Sequence, residues 1–351
     1  MSAEPFLFDS FAAFAETARG SPYFGLTDQA ARSRRPIILL SPLPRSGTNY
    51  LSALLALHPD CLQSRIPEDF FLANSALLIR YCDSVADSWD KWWRPRLGGL
   101  PQLARSVGAA LLNFADPDPQ REASSDARLL LRSPTIEGID AASLLFPDAH
   151  ILILVRSGPE TVESGHRSFG WGYDDAIRAW RRSARRLLSF IENADPLRCR
   201  LVRFEDLVTD PTREISGILR FLEFDDTQYP FDRIDSVPVL GSSSFGRIDG
   251  EPVHWRPVPK TDEFDPLSRA QGWPSRRQRR SIWVGGAEQG RLGYPVQPLS
   301  ITDRLLNVTL DVAHGLRRVV LCVARSVQCR PRLLSDRQGL CMTWRHIRKN
   351  L

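Results

Sequence analysis

Arg45, Ser46, Gly47, Thr48 and Asn49 stand side by side in the stretch Ser41–Tyr50, SPLPRSGTNY, directly after the apolar run Ile37–Leu40 and directly before a helix-like run from Leu51 to Leu57. Those residue types in that order suit the holding of a phosphate or sulfate. A helix that starts there offers unpaired backbone N–H groups and the positive end of its dipole. Gly47 lets the backbone come close to an anion. Arg45 adds a permanent forked charge, and Ser46, Thr48 and Asn49 add side-chain donors. The loop lacks the Lys and the magnesium-placed Ser/Thr of an ATP-type phosphate loop: Ser41 and Thr48 stand where its first Gly and its Lys would be. A strand-to-helix turn that holds no ligand is the plain alternative.

A second group of candidates lies in ILILVRSGPETVESGHRS, residues 151–168. Here Arg156 closes an apolar run and Ser164 follows eight residues later on a helical pattern. A third lies in LVRFEDLVTDP, residues 201–211, with Phe204 at the end of another apolar run. Carboxylates able to take a proton occur at Glu68 and Asp69 in SRIPEDFF, after His58-Pro59-Asp60. Arg132 ends the run Leu129–Leu131.

These residues need elements to position them. Ile37–Leu40, Leu129–Leu131, Ile151–Val155 and Leu201–Phe204 are short and nearly continuously apolar, as in parallel strands buried on both faces. Helical patterns fall at about 50–57, 138–145, 159–168, 174–193 and 211–222. Strands alternating with helices predict a parallel sheet, and ligands in such sheets bind beyond the carboxyl ends of the strands. Residues 84–120 have a helical pattern and contain Trp89, Trp92 and Trp93. They are expected either to cap that edge or to form a core patch. Residues 227–275 carry few regular patterns, and residues 302–326 form an amphipathic helix with arginines at 304, 317, 318 and 325. Packing of that helix on the core is favoured over contact with a membrane surface.

Bulk composition narrows the classes. In 351 residues, 42% hydrophobic and 25% charged content is ordinary for a globular chain. The formal net charge is +5, with Lys91, Lys260 and Lys349 the only lysines. That charge is too mild and scattered for a nucleic-acid binder. The first twenty residues lack the basic start, apolar core and cleavage site of a signal peptide, and no run of apolar residues is long enough to span a bilayer. The six cysteines form no C-x-x-C pair, so free thiols and a cytoplasmic location are expected.

The three motifs in this order resemble the sulfotransferases that use 3′-phosphoadenosine 5′-phosphosulfate (PAPS), over roughly residues 36–295. In motif pattern the chain is most similar to the tyrosylprotein sulfotransferase branch. The resemblance implies a three-layer α/β/α fold with a central, mainly parallel sheet, like that of P-loop nucleoside triphosphate hydrolases. It implies one domain over 1–300 with a helical insertion at about 84–120, then a C-terminal amphipathic helix and basic tail over 301–351. Arg45, Ser46, Gly47, Thr48 and Asn49 would hold the 5′-phosphosulfate, Arg156 and Ser164 the 3′-phosphate, and Phe204 would lie near the adenine, with core packing as its other reading. Glu68 would be the catalytic base, with Asp69 its rival and His58 structural. Arg132, together with Arg45, would stabilise the transferring sulfonate. Ser242 and Arg256, and more weakly Arg247, would close over the donor from a late loop.

Two departures stand out: Asn49 replaces the usual Thr or Ser, and Ser157 replaces the Asp that commonly follows Arg156. The second predicts a looser 3′-phosphate pocket. The expected reaction moves a sulfonate from PAPS to a hydroxyl of a small-molecule, lipid or saccharide acceptor, leaving 3′-phosphoadenosine 5′-phosphate (PAP), with no metal required. A non-catalytic nucleotide-binding relative is the alternative, and a P-loop kinase the more distant one.

Overall fold

In a computed structural model, the structure describes residues 35–117, 127–243, 253, 256–261 and 264–328, with the side chains of 317–328 outside that description. Arg247, Cys329, Cys341, the N-terminal twenty residues and the basic tail lie outside the described residues. The chain divides into two compact units.

The first unit holds residues up to Val155, Ser189–Leu240 and Val258–Lys260. Five parallel strands form its sheet: β1 (Ile37–Leu40), β2 (Cys61–Gln63), β3 (Arg128–Ser133), β4 (His150–Val155) and β5 (Cys199–Arg203), in the order β2-β3-β1-β4-β5. β1 is central. Its Ile37 pairs with Leu130 on one side and His150 on the other, and its Leu40 pairs with Ser133 and Ile153. Every residue of β1 and β4 is buried, which is why continuous apolar runs rather than alternating ones encode them. The chain passes from β1 to the far edge, returns through β3, and crosses to β4. That reversal beside β1 is the point where ligands bind in such sheets.

Helices flank the sheet. α1 (Thr48–Leu55) follows β1; α2 (Ser75–Ser88), α3 (Trp93–Arg96) and α4 (Gly99–Ala115) follow β2; and the short α5 (Ala142–Leu145) precedes β4. Trp89 is half-buried while Trp92 and Trp93 are 67% and 38% exposed, so these tryptophans are not the core patch that was one of their two readings.

The second unit holds Arg156–Leu188, Gly241–Pro257 and the chain from Thr261 on. α6 (Gly158–Phe169) and most of α7 (Tyr173–Ile191) belong to it. Pro159 starts α6, where a missing N–H costs nothing, and Gly170 at φ +69° ends it. Trp180 of α7 is fully buried, and its ring lies against Gly158, where a Cβ would come within 3.0 Å. Back in the first unit, α8 (Phe204–Thr209) takes up the residue expected to end β5, and α9 (Pro211–Phe221) follows, capped by Asp210. The second unit ends with α10 (Ser275–Arg291) and α11 (Ile301–Gln328).

Candidate active site

The loop between β1 and α1 is built by short local bonds. Ser41 and Ser46 both donate their hydroxyls to Leu43 O, at 2.9 and 2.8 Å. Ser46 therefore braces the loop with the hydroxyl that was expected to donate to the ligand. Arg45 has φ +77° and Gly47 φ +100°. A left-handed Arg is uncommon and is held only where the surroundings determine it. Gly47 caps α1 with no side-chain hydrogen bond, so the N–H groups of Thr48 and Asn49 begin the helix. Asn49 donates its side-chain amide to Leu240 O at 3.4 Å.

Phe204 sits directly beneath this loop. A Cβ on Gly47 would lie 2.3 Å from Phe204 Cδ2, and Phe204 is only 5% exposed. Its ring buttresses the loop backbone, which favours the packing reading over an adenine platform.

Glu68, Asp69 and Arg132 meet at the end of β3. Asp69 accepts from Arg132 N at 2.8 Å and from Phe71 N at 2.9 Å, and its own N–H bonds Arg132 O at 3.0 Å. It pins the 66–71 segment to the strand. Arg132 Nε donates to Pro67 O at 2.7 Å. Glu68 differs from its neighbour: among the described residues no donor contacts its carboxylate. Burial raises the Glu68 pKa above its ordinary value, and the charges of Arg132 and Arg45 work against that rise. Burial also raises Asp69, against the two amide bonds. Arg45, Glu68 and Arg132, far apart in sequence, are thus electrostatic neighbours. His58 is buried, with its ring stacked on Phe224 and hydrogen-bonded to Asp225 O and Asp60 N, which fits a structural role.

In the second unit, Arg156 is 3% exposed and contacts Glu160 at 3.3 Å and Pro266 O. Trp180 Nε1 fixes its carbonyl at 3.3 Å. Glu160, in the first turn of α6, thus holds the Arg156 side chain. The same Glu160 accepts the N–H groups of Arg269 and Ala270, at 3.0 and 2.9 Å. Glu163 adds Trp273 at 2.7 Å and Tyr173 at 2.9 Å. Two carboxylates of α6 therefore clamp the 269–273 segment, part of a stretch whose sequence shows no regular pattern.

That clamp delivers a residue the sequence did not reveal. Arg269 is 7% exposed and donates to the hydroxyls of Ser164 (3.3 Å), Ser243 (3.2 Å) and Ser242 (3.0 Å). Burial, and then the charges of Arg156 and Arg167, lower its pKa to about 10. Arg269 thus joins Ser164, expected beside Arg156, to Ser242, expected beside Arg256. Arg256 is exposed. The signal that could have pointed to Arg269 was faint: an isolated Arg before Trp273 in a Pro- and Asp-rich run.

Each unit thus carries a cation-rich cluster with hydroxyl or amide donors suited to an anion, and that of the first unit lies at the switch point of a parallel sheet. Residues 36–228 match the sulfotransferase family, and the chain belongs to that family. It is 25% identical over 226 residues to protein-tyrosine sulfotransferase 2 of Gallus gallus, covering 61% of this chain and 58% of that one. It is 24% identical over 214 residues to protein-tyrosine sulfotransferase A of Caenorhabditis elegans, covering 58% and 54%. The chain thus spans a little over half the length of these relatives. Among solved structures, the sulfotransferase domain of the Synechococcus PCC 7002 olefin synthase aligns with a TM-score of 0.47 and 20% identity, over 76% of this chain and 97% of that one. The family match covers Arg45, Glu68, Arg132, Arg156, Ser164 and Phe204 and ends before Ser242 and Arg269.

Proposed function

We propose that this chain is a PAPS-dependent sulfotransferase acting on a hydroxyl acceptor. The observation that carries the reading is Glu68: a carboxylate with no donor among the described residues, its pKa raised by burial, within the electrostatic reach of Arg132 and Arg45. The Glu68 carboxylate takes the proton of the acceptor hydroxyl. The acceptor oxygen forms a bond to sulfur as the bond from sulfur to the 5′-phosphate oxygen breaks, and PAP leaves with its electron pair. Arg45, Arg132 and the first amides of α1 stabilise the charge on the sulfonate and on the departing phosphate. Arg132 acts as a fixed cation, because a guanidinium does not give up its proton.

Arg156, Arg269, Ser164 and Ser242 are assigned to the 3′-phosphate. Their donor set suits it: two guanidinium groups and two hydroxyls, with Glu160 holding the arginines by its carboxylate. For the acceptor, the relatives' names make a polypeptide tyrosine the first class to try, beside small-molecule, lipid and saccharide hydroxyls. The free thiols of Cys61, Cys82 and Cys199 support a reducing, cytoplasmic setting within this proposal.

The test is transfer of labelled sulfonate from PAPS to a panel of phenols, sugars and tyrosine peptides by the wild type and by Glu68→Gln. The expected loss of kcat is on the order of 10²–10⁴ with PAP binding retained. An unchanged kcat would remove Glu68 from the mechanism.

A further inference from the structure

The last described helix is turned inside out. Of the residues of α11 that face the protein, beside Leu310, four are polar. Asp303 pairs with Arg279 at 2.8 Å. Asn307, 2% exposed, accepts from Arg280 at 3.2 Å. Asp311 receives Arg280 at 2.7 Å, Arg178 at 2.5 Å and Trp283 at 2.8 Å. His314 lies 3.1 Å from Asp174. The residues that face away are Ile301, Leu305, Val308, Val312 and Leu316, each between 48% and 78% exposed. At 3.6 residues per turn these five fall within an arc of about 80°. The sequence repeats the spacing with Val319 and Val323. A helix normally buries such a stripe and exposes its acids, and a contiguous exposed apolar face marks an interaction surface.

Charge decides what the surface fits. Both acids of the helix, Asp303 and Asp311, are consumed by ion pairs to α10 and α7. Residues 317–351 then carry nine Arg and Lys against a single Asp. The whole chain is only +5, so the rest of it is net negative and the positive charge is concentrated in the sequence that follows the stripe. A second copy would set the same dense positive charge against itself. An anionic bilayer complements both features, with acyl chains for the stripe and lipid headgroups for the cations.

We propose that the apolar face of α11 and the basic residues that follow it dock this protein on an anionic membrane surface. The helix lies in the plane of the interface, held to its own unit by the Arg280 cluster. The inference is independent of the reaction assigned above.

The experiment is flotation of the full chain with vesicles of phosphatidylcholine alone or with about one-third phosphatidylserine. At least tenfold more protein should float with the anionic vesicles, and raised salt should release it. The double variant Leu305→Gln/Val312→Gln should lose that binding about tenfold while keeping the wild-type circular dichroism and urea midpoint, since both side chains are exposed. Equal recovery on both vesicle types, no flotation, or a variant that floats like the wild type would overturn the proposal. So would a dimer, seen by light scattering, that the double variant dissolves, because the stripe would then belong to a second copy.

Discussion

Glu68 and Asp69 are adjacent, and the sequence left open which of them is the base. The difference lies in what holds each one. Both oxygens of Asp69 accept backbone amides, so it is part of the frame that fixes the 66–71 segment to β3. Glu68 has no such anchor among the described residues. Asp69→Asn should therefore lower stability, by about 1.5–3 kcal/mol for charge-assisted bonds made neutral, and leave the acid limb of the rate profile in place. Glu68→Gln should abolish that limb. Because the pKa of Glu68 is raised and the base must be ionised, the limb in the wild type should fall at a higher pH than an ordinary glutamate titrates. A pH profile of kcat/KM for the three proteins distinguishes the two carboxylates. Arg45, Glu68 and Arg132 were legible because each follows a recognisable apolar run or motif. Arg269 was not, because its partner Ser164 is 105 residues away and only the carboxylates of α6 bring the two together.

Among the elements, β1 was readable to the residue, since four apolar residues buried on both faces leave one interpretation. β2 escaped notice because it has three residues, of which only Cys61 is buried, and pairs on one side only. α10 escaped notice because its buried positions include Arg280, Ser281, Glu288 and Gln289, so no apolar periodicity announces it. The amphipathic pattern of 302–326 was clear, and the helix does pack against the protein, but not by its apolar face. Ion pairs to Arg279, Arg280 and Arg178 dock the polar face instead, and periodicity alone does not say which face a protein keeps. The β1–α1 loop supports a sharper prediction. Gly47→Ala would set a methyl group against the Phe204 ring and hold an L-residue at φ +100°. It should cost about 1–3 kcal/mol of stability and weaken PAP binding. A thermal midpoint and a PAP affinity both equal to the wild type would mean that the loop does not depend on this close approach.

Across the whole molecule, charge and pH are linked through buried groups. His150 at the start of β4 is buried and accepts a hydrogen bond from Arg128 at 2.6 Å. Burial, and then the Arg128 charge, push its pKa down to about 4. An unfolded His titrates near 6.5, so between about pH 6.5 and 4 the unfolded chain binds the extra proton and stability falls as pH falls, by about 3 kcal/mol at most. The urea midpoint should drop across that window, and His150→Gln should flatten the drop. A wild-type midpoint that is level from pH 6.5 to 4 would contradict this. Below that window, burial raises Asp311, but hydrogen bonds from Trp283, Arg280 and Arg178 outweigh it and hold its pKa at about 2. The contribution of Asp311 to the docking of α11 is thus present above about pH 4 and lost as pH falls toward 2.

The central proposal is that the Arg269 cluster reads the 3′-phosphate of the donor nucleotide. Calorimetric titration of the wild type and of Arg269→Gln with PAP, with AMP and with ATP–magnesium tests it most directly. PAP should bind the wild type without metal and more tightly than AMP, by roughly tenfold or more for a hydrogen-bonded charge pair. Arg269→Gln should remove most of that difference and leave AMP unchanged. Equal affinity for PAP and AMP in the wild type, or binding of ATP–magnesium alone, would contradict the account.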